Sequence, residues 1–470
     1  MTDTPLILWF RRDLRLSDQP MLATAVATGR PLVALFILDP ETEAIGAAAK
    51  WRLGLAWAAF AKALREVGLE PVFRRGPALD VLRSVLADTG AEAVWWSRLY
   101  DPAAVARDTG VKAALKTSAV EARSFNGHLL NEPWDVQTGS GGYYRVFTPY
   151  WRSVRGHEMQ APAPTVRSAR GLGQRIAGER LEDWHLGAAM DRGAAVVERH
   201  QAVGEAAALD RLAAFLAGPV DAYGAMRDRP AVAGTSRLSE SLTYGEIGVR
   251  SIWHAGLRAM QDGRAGAETF LREIAWREFA YHLIHHSPEI ATRNWRPEWD
   301  SFAWRGDNPQ AERWRRGMTG EPFVDAAMRE MYVTGTMHNR ARMIAASYLT
   351  KHLLTDWRVG LAWFEECLTD WDPASNAMGW QWVAGSGPDS APFFRIFNPA
   401  GQAEKFDPDA AYRRRFVAEL SSAPGPEARA FFEAAPRRWG LDPKAPYPEA
   451  VVGLAEGRAR ALEAYGARNS

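Results

Sequence analysis

Residues able to do chemistry crowd into one stretch of this chain. Residues 337–343 read MHNRARM, 356–358 DWR, 370–382 DWDPASNAMGWQW and 394–399 FRIFNP. Together they read as the wall of a buried redox pocket. On a helix expected from about residue 336 to 354, Asn339 and Met343 are four apart and share a face, with Arg340 and Arg342 to either side. Arg342 sits in an otherwise apolar run and is costly to bury alone, and Asp370 or Asp372 can partner it. Such a pair beside Asn376 is either a polarised floor for a cofactor that gains and loses charge or a structural ion pair in a helical core.

Three upstream segments add to this wall. Tyr223 and Arg227 are four apart, ahead of Pro230. The run Thr235, Ser236, Arg237, Leu238, Ser239 then offers hydroxyls and backbone N–H groups near a helix start, which suits either a diphosphate cradle or an ordinary cap. In residues 270–285, Glu273 and Trp276 share a helix face and Arg277 lies four from Glu273. A carboxyl beside an indole suits a cavity; the plain alternative is a Glu273–Arg277 surface bridge with Trp276 in the core. His282, His285 and His286 have no clear third ligand and read as structural, so no metal is expected.

The elements that must position these groups divide the chain. Residues 6–10, 31–38, 70–74, 93–97 and 119–124 read as short apolar strands. They alternate with helical patterns at 18–28, 50–67 and 78–89, which predicts a parallel sheet with helices on both faces. This α/β domain runs over 1–130. The first strand leads into Arg11-Arg12-Asp13 and not into a G-x-G-x-x-G fingerprint. Glycine and proline cluster between Asn126 and Arg199, so 131–199 reads as an interdomain linker. Helical periodicity dominates 200–470, predicting an all-α second domain.

Bulk properties exclude several classes. With 470 residues, 47% of them hydrophobic, the chain can bury large cores. Its apolar runs are short and its first thirty residues carry no signal pattern, so neither membrane insertion nor secretion is indicated and the cytoplasm is expected. One cysteine, Cys367, rules out an intramolecular disulfide framework. A net charge of +1 hides local clusters of arginine with aromatics, such as 293–299 and 412–415. Twenty tryptophans exceed ordinary need; a few spaced from a redox centre to the surface could pass electrons.

The motifs MHNRARMIAASYLTKHL, ASNAMGWQW, FRIFNPAGQAEKFD, GTSRLSESLTYGEI and FLREIAWREF, with LWFRRDLRLSDQPML at the start, closely resemble the DNA photolyase and cryptochrome family across nearly the whole chain. Through ETEAIGAAAKWRLGL and SNAMGWQWVAGSGPDSAPFFR the chain is most similar to bacterial class III cyclobutane pyrimidine dimer photolyases. The resemblance implies FAD held by Tyr223, Thr235, Ser236, Arg237, Leu238, Ser239, Phe270, Asn339, Arg342, Asp370, Trp371, Asp372 and Asn376, the last facing flavin N5. It places Glu273 against the lesion, where its carboxyl would, if protonated, bond a thymine carbonyl, and Trp276 and Trp382 as aromatic walls. Arg227, Arg277, Asn339, Arg340, Met343 and Gln402 match positions that line the lesion cavity or hold DNA. Trp380, Trp357 and Trp304 match the tryptophan chain that photoreduces the flavin.

An antenna chromophore is implied as well. The Asn-Glu pair of the common folate site is replaced by Ala103-Ala104, so methenyltetrahydrofolate is expected by the class III route, at Glu43 and Trp51, although Trp51 could equally pack helix against sheet. Trp371 stands where many relatives have Gly, Ala377-Met378 where many have Asn-Gly, and Thr336 where Trp is frequent. Trp371 could open a second electron branch or simply pack. The partner expected is DNA carrying a cyclobutane dimer, met by a monomer. His338-Asn339 in place of His-His disfavours a (6-4) enzyme, and the short stretch after the family-like region leaves little room for the signalling tail of a cryptochrome, the alternative reading.

Overall fold

Burial on both faces decides the first half of the molecule. The computed structural model describes residues 3–389 and 394–468; residues 390–393, part of one motif quoted above, lie outside the described residues. Strands β1 (Leu6–Phe10), β2 (Leu32–Leu38), β3 (Pro71–Arg75), β4 (Ala93–Ser97) and β5 (Glu121–Phe125) form one sheet in the order β3-β2-β1-β4-β5. All neighbouring pairs are parallel, with Leu6 opposite Leu32 on one side and Ala93 on the other. Along β1, Leu6, Leu8 and Phe10 pack with Trp57, Phe60 and Leu64 of the helix Ala47–Glu66, while Ile7 and Trp9 pack with Val81, Leu82 and Val85 of the helix Ala78–Thr89. Helices therefore cover both faces, and the central strands have no polar side to show in sequence.

The second half is helical. Its core elements are the helices Val249–Gln261, Ala267–His286, Pro322–Thr334, Asn339–Ser347, Trp357–Cys367 and Pro373–Ala384. The helix expected over 336–354 is shorter than its pattern. It starts at Asn339, because the His338 ring accepts a hydrogen bond from the Arg340 N–H and caps it. After Ser347 it opens into a π-helical turn, Tyr348–His352, which carries Lys351 fully buried against the Phe394 ring, 3.6 Å from its centroid.

The connecting stretch touches both halves. Its helix Phe147–Val154 buries Phe147, Tyr150, Trp151 and Val154 in the helical core. Further on, Gly171 bridges Leu32, Glu179 N–H reaches the Phe73 carbonyl at 2.8 Å, and Trp184 packs edge-on to Trp57 and Phe73. Among the described residues no helix is long and apolar enough to cross a membrane.

Charge, fully buried, joins the halves. Arg52 donates to both oxygens of Glu246, at 3.0 and 2.8 Å, and neither side chain reaches solvent. Glu246 also accepts from Gly204 N–H at 2.9 Å, and the Arg52 guanidinium lies over the Tyr244 ring. Next to it Gly245, at φ +66°, presses on the Arg12 backbone, where a Cβ would collide with the carbonyl. Breaking such a pair from one side strands a charge in the interior. Arg52→Ala is expected to lower unfolding stability by about 3–5 kcal/mol, read as a fall in the urea midpoint at unchanged m-value.

Candidate active site

A cavity of about 580 Å³ opens into the helical half, within the range of cofactor-sized pockets. Its lining draws on the loop 230–239, on helix Ala267–His286, and on residues near the N-termini of helices Asn339–Ser347 and Pro373–Ala384. Tyr223, Thr235, Ser236, Arg237, Leu238, Ser239, Phe270, Asn339, Arg342, Asp370, Trp371, Asp372 and Asn376 all line it, so the structure brings every residue expected around the flavin into one place.

The floor is ionic. Arg342 Nη2 donates to both oxygens of Asp370, at 2.8 and 2.7 Å, and its Nε reaches the Met337 carbonyl at 2.7 Å. Asp370 is buried, whereas the Arg342 side chain keeps 26% exposure because it faces the cavity. Of the two carboxylates open in the sequence, Asp370 is the partner. Asp372 instead caps helix Pro373–Ala384, accepting from Ser375 N–H at 2.8 Å, and takes a short hydrogen bond from the Tyr281 hydroxyl. Asn376 sits one turn in, its amide donating to the Leu361 carbonyl at 3.2 Å.

The loop end suits an anion. Arg237 is exposed at φ +52°, and helix Ser239–Thr243 starts with no side chain capping its N–H groups. Arg211 stands beside it, its guanidinium on the Arg237 carbonyl at 3.2 Å. Two ring nitrogens of the cavity wall, Trp371 Nε1 and Trp380 Nε1, are buried with no hydrogen-bond partner. An anion-ready loop, an ionic floor and orphaned donors fit a flat, polar-edged cofactor with a diphosphate.

Two expectations about the Glu273 face change. Glu273 pairs with Arg227, from across the pocket, and not with Arg277 four residues on. Arg277 is drawn inward by the segment after β5, reaching the His128 carbonyl at 3.0 Å, the His128 ring at 2.6 Å and Glu278 at 3.3 Å. Its guanidinium is thus committed within the protein rather than offered to DNA. Arg340 is likewise bonded to Asp228 at 2.6 Å and stacked over Phe406. Met343 lines the cavity, Asn339 is exposed at its rim, and Gln402 Oε1 is buried without a partner. Trp276 and Trp382, both partly exposed, stand outside the cavity wall.

Comparison with known proteins now decides the family. Residues 6–167 match the DNA photolyase domain and residues 270–467 the FAD binding domain of DNA photolyase. The deoxyribodipyrimidine photo-lyase of Agrobacterium fabrum is 44% identical over 469 residues, covering 98% of each chain. This chain belongs to the DNA photolyase family. The crystal structure of a bacterial class III photolyase from Agrobacterium tumefaciens superposes with a TM-score of 0.92 at 43% identity, covering 100% of this chain and 98% of that one. Cryptochrome-1 of Arabidopsis thaliana is 33% identical, with 97% of this chain aligned to 70% of that protein.

In this photolyase-family chain the three tryptophans of the expected electron path differ in exposure. Trp380 lines the cavity at 2% exposure, and Gly360 of the adjoining helix Trp357–Cys367 leaves the notch its ring fills. Trp357 is wholly buried with its N–H on Asn294 at 2.9 Å, and Trp304 is partly exposed. Trp371 also faces the cavity. Trp51, in contrast, is 8% exposed with Gly187 against its indole, and Glu43 is exposed, its carboxylate 3.9 Å from Arg75.

The sequence reading missed His338 as a cap, Glu330, which accepts from His338 N–H and the Tyr412 hydroxyl, and Asp228. Only Asp228, beside Arg227 in MRDRP, carried a local signal. On helix Ala267–His286 the His282 ring meets the Pro133 carbonyl and Tyr144 N–H, at 3.2 and 3.0 Å, and the His286 ring meets the same carbonyl at 3.2 Å. His338 is pushed down to about 4 by burial, which Asp228 partly opposes and the charges of Arg342 and Arg340 reinforce. A depressed histidine costs stability as pH falls through the gap between its unfolded and folded values, so stability should drop between about pH 6.5 and 4 by roughly 2–3 kcal/mol. His338→Asn, which keeps a capping side chain, should flatten that part of the urea-stability profile.

Proposed function

We propose that this protein splits cyclobutane pyrimidine dimers in DNA using blue light. The observation that carries the reading is the Glu273–Arg227 pair at a cavity floored by Arg342–Asp370, in a chain that aligns end to end with a named photo-lyase. Reduced FAD bound there would supply an excited electron to the dimer and recover it after the ring opens, leaving no net redox change.

The chain's own residues do the rest. Arg237, Ser236 and Ser239, with the free N–H groups of the helix start, hold the diphosphate, and Arg342 brings a fixed positive charge to the cofactor's ring system, stabilising it when it is anionic. Asn376 presents a neutral amide where a carboxylate would oppose a gain of negative charge. A dimer must leave the base stack to reach the cavity, and its weakened pairing lowers that cost. Trp276 and Trp382 offer indole faces to the extruded pair. For the Glu273 carboxyl to donate to a pyrimidine carbonyl, the Arg227 pair must open and the carboxylate take up a proton from water, so lesion entry re-partners both side chains. Asn339 and Met343 border the cavity beside them.

Trp380, Trp357 and Trp304 carry reducing equivalents inward from the surface to regenerate the reduced cofactor. Methenyltetrahydrofolate is the antenna, with Glu43 and Trp51 as its residues; the α/β domain to about residue 130 holds it, 131–199 connects, and 200–470 binds FAD and DNA. The protein works as a cytoplasmic monomer.

The test is repair of an oligonucleotide with one cyclobutane thymine dimer by chemically reduced protein, with dark and (6-4) controls. Repair of the dimer alone supports the reading, and bound, photoreducible FAD without repair would instead support a photoreceptor. Glu273→Ala should lower the repair yield by on the order of tenfold to a hundredfold with FAD still bound; an unchanged yield refutes its role. Trp380→Phe should slow photoreduction yet leave repair by pre-reduced protein intact, as seen in flash absorption. Loss of both would make Trp380 a wall of the pocket.

A further inference from the structure

Trp276 and Trp382 come from different helices, yet one residue fastens both. Trp276 lies face to face with Phe147, ring centroids 3.6 Å apart and planes within 10°. The backbone N–H of Phe147 donates to Asp389 Oδ1 at 3.2 Å. The carbonyl of the same Asp389 accepts the Trp382 indole N–H at 3.0 Å. Asp389 makes these two bonds, one through its side chain and one through its carbonyl, from a left-handed backbone, φ +52°, which an L side chain rarely adopts. Arg272, one turn before Trp276, lies 5.5 Å from the centre of the Phe147 ring and adds its charge to the carboxylate's surroundings.

Core packing alone does not call for this arrangement. Phe147 is 1% exposed and packed in the helical core, but both tryptophans stay partly open to solvent. On the repair reading both open indoles meet the extruded pair, and stacking energy depends steeply on where each ring is held.

Building on the repair reading, we infer that Asp389 is a positioning residue that sets the spacing of Trp276 and Trp382 and so makes the protein prefer the extruded dimer over ordinary DNA. Its carboxylate fixes Phe147, the backing of one indole; its carbonyl fixes the other indole directly. Neither group reaches the cofactor cavity, so the device acts on lesion selection and not on FAD.

Two substitutions separate the anchor from the backbone turn. Asp389→Gly tolerates the positive φ and removes the carboxylate, whereas Asp389→Asn keeps an oxygen acceptor and also tolerates that φ. Affinities of the FAD-loaded protein for matched oligonucleotides, one with a thymine dimer and one undamaged, are measured in the dark by fluorescence anisotropy. The preference for the dimer should fall about tenfold in Asp389→Gly, entirely through weaker dimer binding, with FAD content unchanged and Asp389→Asn within twofold of wild type. Three results would overturn the inference: an unchanged preference in Asp389→Gly, equal weakening toward both oligonucleotides, or loss of FAD. A wild-type protein with no preference for the dimer would sink the repair reading itself, and the anchor with it.

Discussion

A guanidinium held by a carboxylate under a cavity sets the terms for the helical half. Arg342 cannot sit in its apolar helix without Asp370, and Asp370 cannot be buried without Arg342. To meet, helix Asn339–Ser347 and the turn before helix Pro373–Ala384 must come together, which brings Asn376, Trp380 and Asp372 into the same wall. The Arg342 side that Asp370 does not satisfy faces the cavity, and that unspent charge favours an electron-rich ligand. Arg227 and Arg277 also line the cavity, but they are engaged by Glu273 and His128.

What the sequence showed and what it hid divide along one physical line. Interactions forced by burial were legible. The central strands had no polar face because both faces are covered, and Arg342 advertised the need for an acid partner because a lone buried charge is untenable. Interactions settled by competition were not. Spacing on helix Ala267–His286 offers Arg277 to Glu273, but the His128 carbonyl and ring, 149 residues away in sequence, take Arg277 first. Glu273 is left for Arg227. Likewise the pattern over 336–354 gives one long helix, while the His338 ring chooses the start and the π-helical turn closes the end. No local rule ranks such partners.

The family resemblance helped most where local rules were silent, since it gathered thirteen scattered residues into one cavity. At Trp51 it says nothing of Gly187, which the returning connector brings against the indole. The arginines show the same limit. Arg340 and Arg277 match positions associated with DNA, yet both are paired within the protein, so in the free state the rim is less cationic than a count of arginines suggests.

The path of that connector has a consequence for how the molecule can be made. It first delivers Phe147 and Trp151 to the helical core and only later returns Trp184 to cover Trp57 and Phe73 beside the sheet. During synthesis the α/β half therefore stays open on one flank until more than fifty residues beyond its last strand have emerged. A chain stopped at residue 130 would expose that aromatic flank to water, so the half that looks like an independent module completes itself with a strap borrowed from beyond its own end.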